Sequence, residues 1–164
     1  MKIPIDLSSD HWVIRDEKAK VQEYRGKTAI FLEGSPRDLR PGLAYFKDLV
    51  FENGIIECDI ASSVRRSYVG IAFRVQSEDN YELIYFEPHR SGKWDAVQYD
   101  PVFNGSNTWQ LHHGPGYQAE AEIPAKRWFH VTIVVQDLRA EVYLDDASIP
   151  SLVVDELQHG YGKG

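Results

Sequence analysis

The sequence predicts an all-β fold, a sandwich or barrel of short strands, on three observations. Turn signals recur at short intervals along the chain, and apolar and polar residues alternate with period two between them. No segment sustains helical periodicity over a dozen residues. Aromatic side chains make up 12% of the chain, a content that suits pleated, half-buried surfaces.

The elements follow in order. Arg25-Gly26 is a turn, and Ala29 to Leu32 the strand after it. Glu33-Gly34-Ser35-Pro36 and Arg40-Pro41-Gly42 are further turns, because Gly and Pro set backbone angles that strands do not use. Glu52-Asn53-Gly54 opens a strand from Gly54 to Ala61. Tyr68 to Gln76 and Tyr81 to Glu87 form a hairpin across Ser77–Asn80, and Trp128 to Gln136 and Arg139 to Leu144 a second one across Gln136-Asp137-Leu138. Ala96 to Tyr99 and Thr108 to Leu111 carry weaker strand patterns. Gly114-Pro115-Gly116 and Asp145-Asp146 mark later turns.

Side chains alternate across a strand, so each strand yields two faces. Val69, Ile71, Phe73 and Val75 form one face of the first hairpin strand. Tyr68, Gly70, Ala72 and Arg74 form the other. A hairpin closed symmetrically about Glu78-Asp79 sets Ala72 opposite Tyr85 and Phe73 opposite Ile84, and paired residues share a face. Ile71, Phe73, Ile84 and Phe86 then make an inner wall, and Gly70, Ala72, Arg74, Tyr85 and Glu87 an outer one. In the Gly54–Ala61 strand, Ile56, Cys58 and Ile60 face inward. Glu57 and Asp59, about 6.7 Å apart by strand rise, share the outer side. Placed together, these residues describe a shallow polar groove over a floor of Gly70 and Ala72. The alternative is a solvated outer face whose charges serve solubility.

Composition excludes several classes. The 164 residues correspond to one domain, 1–164, long enough for a proper core. Asp and Glu (25) outnumber Lys and Arg (18), giving a net charge of −7. That charge argues against nucleic acid and anionic membranes as partners. A lone cysteine, Cys58, excludes an internal disulfide framework and a multi-cysteine zinc site. No apolar run reaches the roughly 20 residues of a membrane-spanning helix. The N-terminus lacks an apolar leader core, so the chain as written reads as cytoplasmic; a secreted chain trimmed of its leader would read the same.

Several segments resemble a known family. Gly70-Ile71-Ala72-Phe73-Arg74, Asn80-Tyr81-Glu82, Pro88-His89, Ser91-Gly92 and Asp95-Ala96 occur in order, followed by Gln98-Tyr99, Asn104-Gly105, Trp109-Gln110-Leu111, Ile123-Pro124 and Trp128 with His130-Val131. This series is similar to the concanavalin A-like/laminin-G-like jelly rolls, in the branch of the 3-keto-disaccharide hydrolase-like domains. The resemblance runs from about Lys27 to Gly160. It implies an all-β, two-sheet antiparallel jelly-roll sandwich with little or no helix, whose concave face takes glycans. Two departures stand out: Glu87 occupies the place of an expected basic residue, and the chain stops after His159-Gly160-Tyr161 where relatives continue into a closing strand. An uncovered sheet edge of that kind is a route to oligomers.

The expected function is a lectin-like domain that binds an oligosaccharide or small glycan. Arg74, Tyr85, His89, Trp94 and Tyr99 are the candidate ligand contacts, because aromatic faces stack on sugar rings and polar groups bond their hydroxyls. Ala in place of both Arg74 and Tyr85 is expected to abolish affinity and leave the melting temperature nearly unchanged. A glycoside hydrolase acting on a modified (3-keto) disaccharide is the alternative, with Glu57, Asp59 and Glu87 as acid/base candidates. Glu57-Cys58-Asp59-Ile60-Ala61-Ser62 supplies two acids of a laminarinase-type strand but has Ser62 at the third. A laminin-G-like protein-interaction domain is a third reading. The sequence points to no definite cofactor. Calcium is the one cation the resemblance brings in, and Asp95, Asp100 and Asn104 are the candidate oxygen ligands for it. His89, His112 and His113 sit in loop-like segments that could share one rim, and His130 alternates with core residues.

Overall fold

The computed structural model describes residues 2–16, 18–33, 42–109 and 111–164. They belong to two compact units, Met1–Val50 and Phe51–Gly164. Among the described residues there is no α-helix, only strands and one 3-10 turn. The turn signals at Gly34-Ser35-Pro36 and Arg40-Pro41 lie outside the described residues.

In the first unit, β1 (Trp12–Arg15) pairs antiparallel with β4 (Leu43–Phe46), and β2 (Lys20–Tyr24) with β3 (Lys27–Phe31). The β2–β3 hairpin turns at Arg25-Gly26, both with positive φ (47° and 79°). That left-handed pair matches the twist of the flanking strands.

The second unit is a β-sandwich of two antiparallel sheets. One sheet runs β14 (Leu152–Val154), β13 (Arg139–Leu144), β12 (Phe129–Gln136), β5 (Gly54–Ile60). The other is built around β7 (Asn80–Phe86), which pairs with β6 (Val69–Ser77), β8 (Val97–Tyr99) and β9 (Val102–Phe103). β10 (Ser106–Asn107) and β11 (Gln118–Ala119) extend it. The core lies between the sheets. Val131, Ile133 and Val135 of β12 and Val142 of β13 join Phe73, Ile84, Phe86 and Val97 from the facing sheet. Phe86 and Phe129 meet edge to face with ring centres 5.4 Å apart. Burial of such side chains contributes about 1.5–3 kcal/mol each.

The first hairpin corrects one expectation and explains why another survives. Ser77 pairs with Asn80, as a turn at Glu78-Asp79 requires. Further along, Phe73 pairs with Glu82, Ile71 with Ile84 and Gly70 with Tyr85. Two extra residues have entered β6 as a bulge, where Arg74 takes a left-handed φ of 49°. A shift of two keeps the parity of the strand, so the inner and outer faces stand as read. Arg74 alone leaves its face. It is 1% exposed, and its guanidinium donates to the carbonyls of Glu52, Asp137 and Gly160 and to Asn53 Oδ1. It is a structural clamp, not a groove residue.

Two further placements differ from the sequence reading. Glu57 and Asp59 do point outward from β5, but β5 belongs to the sheet of β12 and β13. With the core between the sheets, these acids and Tyr85 occupy opposite outer faces. The strand expected at Thr108–Leu111 is reduced to an isolated bridge between Trp109 and His112, with Gln110 outside the described residues.

Candidate functional site

The outer face of the β7 sheet carries a continuous row across four strands. Gly70 pairs with Tyr85, Tyr85 with Gln98, and Gln98 with Gln118. Gly70 is needed for this packing: a Cβ there would stand 2.4 Å from Ile84 O and 2.8 Å from Tyr85 Cβ. The Tyr85 ring lies against this floor, 7% exposed, with Tyr68 edge-on at 6.0 Å. Burial first, then the nearby carboxylates Asp100 and Glu87, push the Tyr85 hydroxyl well above the ordinary phenol range, so it stays protonated.

A pocket of about 390 Å³ opens above the row, within the roughly 300–1,000 Å³ usual for ligand sites. Trp94 and Trp109 stand at it, each 60% exposed. Its polar lining is a chain of hydrogen bonds. The Gly114 amide donates to Gln118 Oε1 (2.9 Å), and Gln118 Nε2 to Gln98 Oε1 (2.9 Å). Gln98 Nε2 in turn donates to Glu87 Oε1 and to the Asp95 carbonyl. Glu87 Oε2 lies 3.1 Å from His89 Nε2. Glu87 is 5% exposed. Burial, and then repulsion from Asp95, hold its carboxyl above the usual glutamate value, against the bond from Gln98 and the charge of Arg90. Arg90 Nε binds both oxygens of Asp95 at 2.9 and 3.1 Å.

Two loops present the tryptophans. The 3-10 turn Pro88–Arg90 leads to Trp94, and the loop is held by Lys93 N donating to Arg90 O and Ala96 N to Lys93 O. Ser91 Oγ donates to Glu122 and accepts from the Ile123 amide. On the other side, Thr108 Oγ1 donates to Asp100 Oδ1 (3.1 Å) and accepts from His112 Nδ1 (2.9 Å). This bond fastens the segment that bears Trp109 to the sheet. Asp100 is 3% exposed, and burial raises its carboxyl above the usual range despite the Thr108 bonds.

Of the residues singled out from sequence, Glu87, His89, Trp94 and Asp95 line this pocket, and Tyr85 lies in the row beneath it. Tyr99 does not: it pairs with Ile84 on the inner face, 1% exposed, and its hydroxyl bonds Glu82 and the Gln158 amide. The carboxylates of Asp95 and Asp100 have separate partners, Arg90 and Thr108, and the backbone amide of Asn104 donates to Asn80 Oδ1. Among the described residues no group of three or more His, Cys, Asp or Glu is arranged to hold a metal ion. Cys58 is pushed up to about 12 by burial and stays a thiol. His89 and His113 line the pocket, whereas His130 bonds Asp59 on the opposite sheet.

Tyr68, Arg90, Gln98 and Gln118 were missed, and Trp109, which the sequence reading assigned to packing under an end of the sandwich, is instead exposed at the pocket. Gln98 was findable, because it alternates with the apolar Val97 and Tyr99. Gln118 was not, because β11 is only two residues long.

No family model matches the chain. Among solved structures it is similar to the carbohydrate binding module CBM66 from Bacillus subtilis, with a TM-score of 0.65 and 16% identity, over 98% of this chain and 88% of that one. The likeness is one of fold.

Proposed function

We propose that this chain is a carbohydrate-binding module that takes a glycan into the pocket between Trp94 and Trp109. The observation that carries the reading is the pair of exposed indoles over a fixed polar floor. Sugar rings offer apolar C–H faces to aromatic planes and hydroxyls to amides and carboxylates. Gln98, Gln118 and Glu87 are already held by one another, so little ordering is left for the moment of binding. Arg90 adds a cation whose terminal nitrogens have no partner among the described residues. The likeness in fold to a carbohydrate binding module supports the reading.

A panel of mono- and oligosaccharides screened by calorimetry tests it. Trp94→Ala and Trp109→Ala should each weaken a binding member about tenfold, the loss of roughly 1.4 kcal/mol of stacking. Both variants should keep the wild-type melting temperature, because the rings are exposed. Wild-type affinity in both variants would refute the pocket.

A hydrolase reading draws on one observation, the buried Glu87 beside Asp95 with its carboxyl held above the ordinary range. A mass-spectrometric time course on the same panel separates the two. Product that accumulates in wild type and not in Glu87→Gln would make the chain an enzyme.

A further inference from the structure

The pocket has a neighbour. A second depression of about 300 Å³ is lined by Trp94, Gly114, Pro115, Gln118, Ala119 and Glu120. Trp94 and Gln118 line both spaces, so one indole stands between them. We propose that this second depression is a further sugar subsite, and that the ligand is an oligosaccharide with adjoining residues on either side of Trp94. The inference rests on the glycan reading of the first pocket and names the ligand's minimum length.

The lining fits a neutral sugar ring. Pro115 and Ala119 are apolar and small, and suit the C–H face of a ring. Gly114, at φ +84°, leaves its backbone open to an approaching ring, with no heavy atom within 4 Å of where a Cβ would stand. Glu120 is exposed and offers acceptors to hydroxyls. Gln118 sits at the boundary with one amide hydrogen committed to Gln98, which leaves the other for a ligand oxygen. No Lys or Arg lines the depression, so a carboxylated or sulfated residue would meet Glu120 without a counter-charge. Continuity decides against two independent ligands, since both would compete for the same indole and the same amide.

The test compares chain lengths on the full chain. Monomer, dimer and trimer of glucose, galactose, mannose and fructose are titrated by calorimetry. In the series that binds, the dimer should bind at least tenfold tighter than the monomer. Glu120→Ala and the double variant P115A/E120A should bring that ratio toward one. Circular dichroism confirms that the variants are folded. A dimer no tighter than its monomer overturns the second subsite and leaves the first pocket standing. So does a ratio that survives both variants, because the gain then arises elsewhere. Absence of binding by every member overturns the glycan reading and the inference with it.

Discussion

At the scale of single residues, two positions shape the pocket and the sheet beneath it. Gly70 lets β6 and β7 approach under the Tyr85 ring, and a methyl group there would collide with the Ile84 carbonyl at 2.4 Å. Overpacking of this kind costs about 1–3 kcal/mol. Gly70→Ala should therefore lower Tm by about 3–10 °C, measured by thermal melts, and weaken any ligand that sits above the row. A Tm equal to wild type would mean that the strands part without cost. Asp100 is the second position. Its folded carboxyl titrates above the ordinary aspartate value of 3.8 because it is buried, so between the two values the folded state holds more protons than the unfolded one. Stability from this group is full at low pH and is lost as pH rises through the folded value. Asp100→Asn removes that loss and keeps an acceptor for Thr108. Its Tm relative to wild type should climb as pH rises from below the ordinary aspartate value through the raised folded one; a constant difference would refute the argument.

At the scale of elements, the β6–β7 hairpin shows what the sequence could and could not reveal. Alternation identified both faces of β6 and β7, and it remained correct because the bulge shifts the register by an even number. The bulge itself left no trace in the pattern, since Arg74 occupies a position whose neighbours are polar or small. A long cation in such a place reads as exposed, yet here it reaches three backbone carbonyls that have no other role in a strand ladder. Arg74→Ala strips those acceptors of their donor at about 1–3 kcal/mol each. The expected result is a fall in Tm of about 10 °C or more, the reverse of the thermal neutrality expected from an outer-face residue. An unchanged melt would return Arg74 to the groove. The short strands β9, β10 and β11 escaped notice for a different reason. Two residues cannot display a period, and their pairing is imposed by neighbours: β9 by β7, β10 by β9 and β11 by β8.

At the scale of the whole Phe51–Gly164 unit, strand alternation was legible and sheet membership was not. Glu57 and Asp59 were correctly read as outward, but nothing local in β5 says which of two sheets it joins. That choice is made by β12, whose seven-residue register with β5 runs from Phe129–Ile60 to Val135–Gly54. The carboxylates so divide between two surfaces, with Glu57, Asp59 and Glu141 on one side and Glu87 on the other. Resemblance to a jelly roll anticipated the two layers, because the core pattern is spread over the whole unit.

The two exposed indoles have a spectroscopic consequence. The chain has four tryptophans, and Trp94 and Trp109 are the two with most of their surface in solvent. Emission from the native protein should carry a long-wavelength, iodide-quenchable component from these two rings. An occupant of the pocket would shield them, shifting the emission to the blue and reducing quenching. Trp94→Phe with Trp109→Phe should abolish that response. The protein would then report its own occupancy in a cuvette, without a label, from the same side chains proposed to hold the ligand.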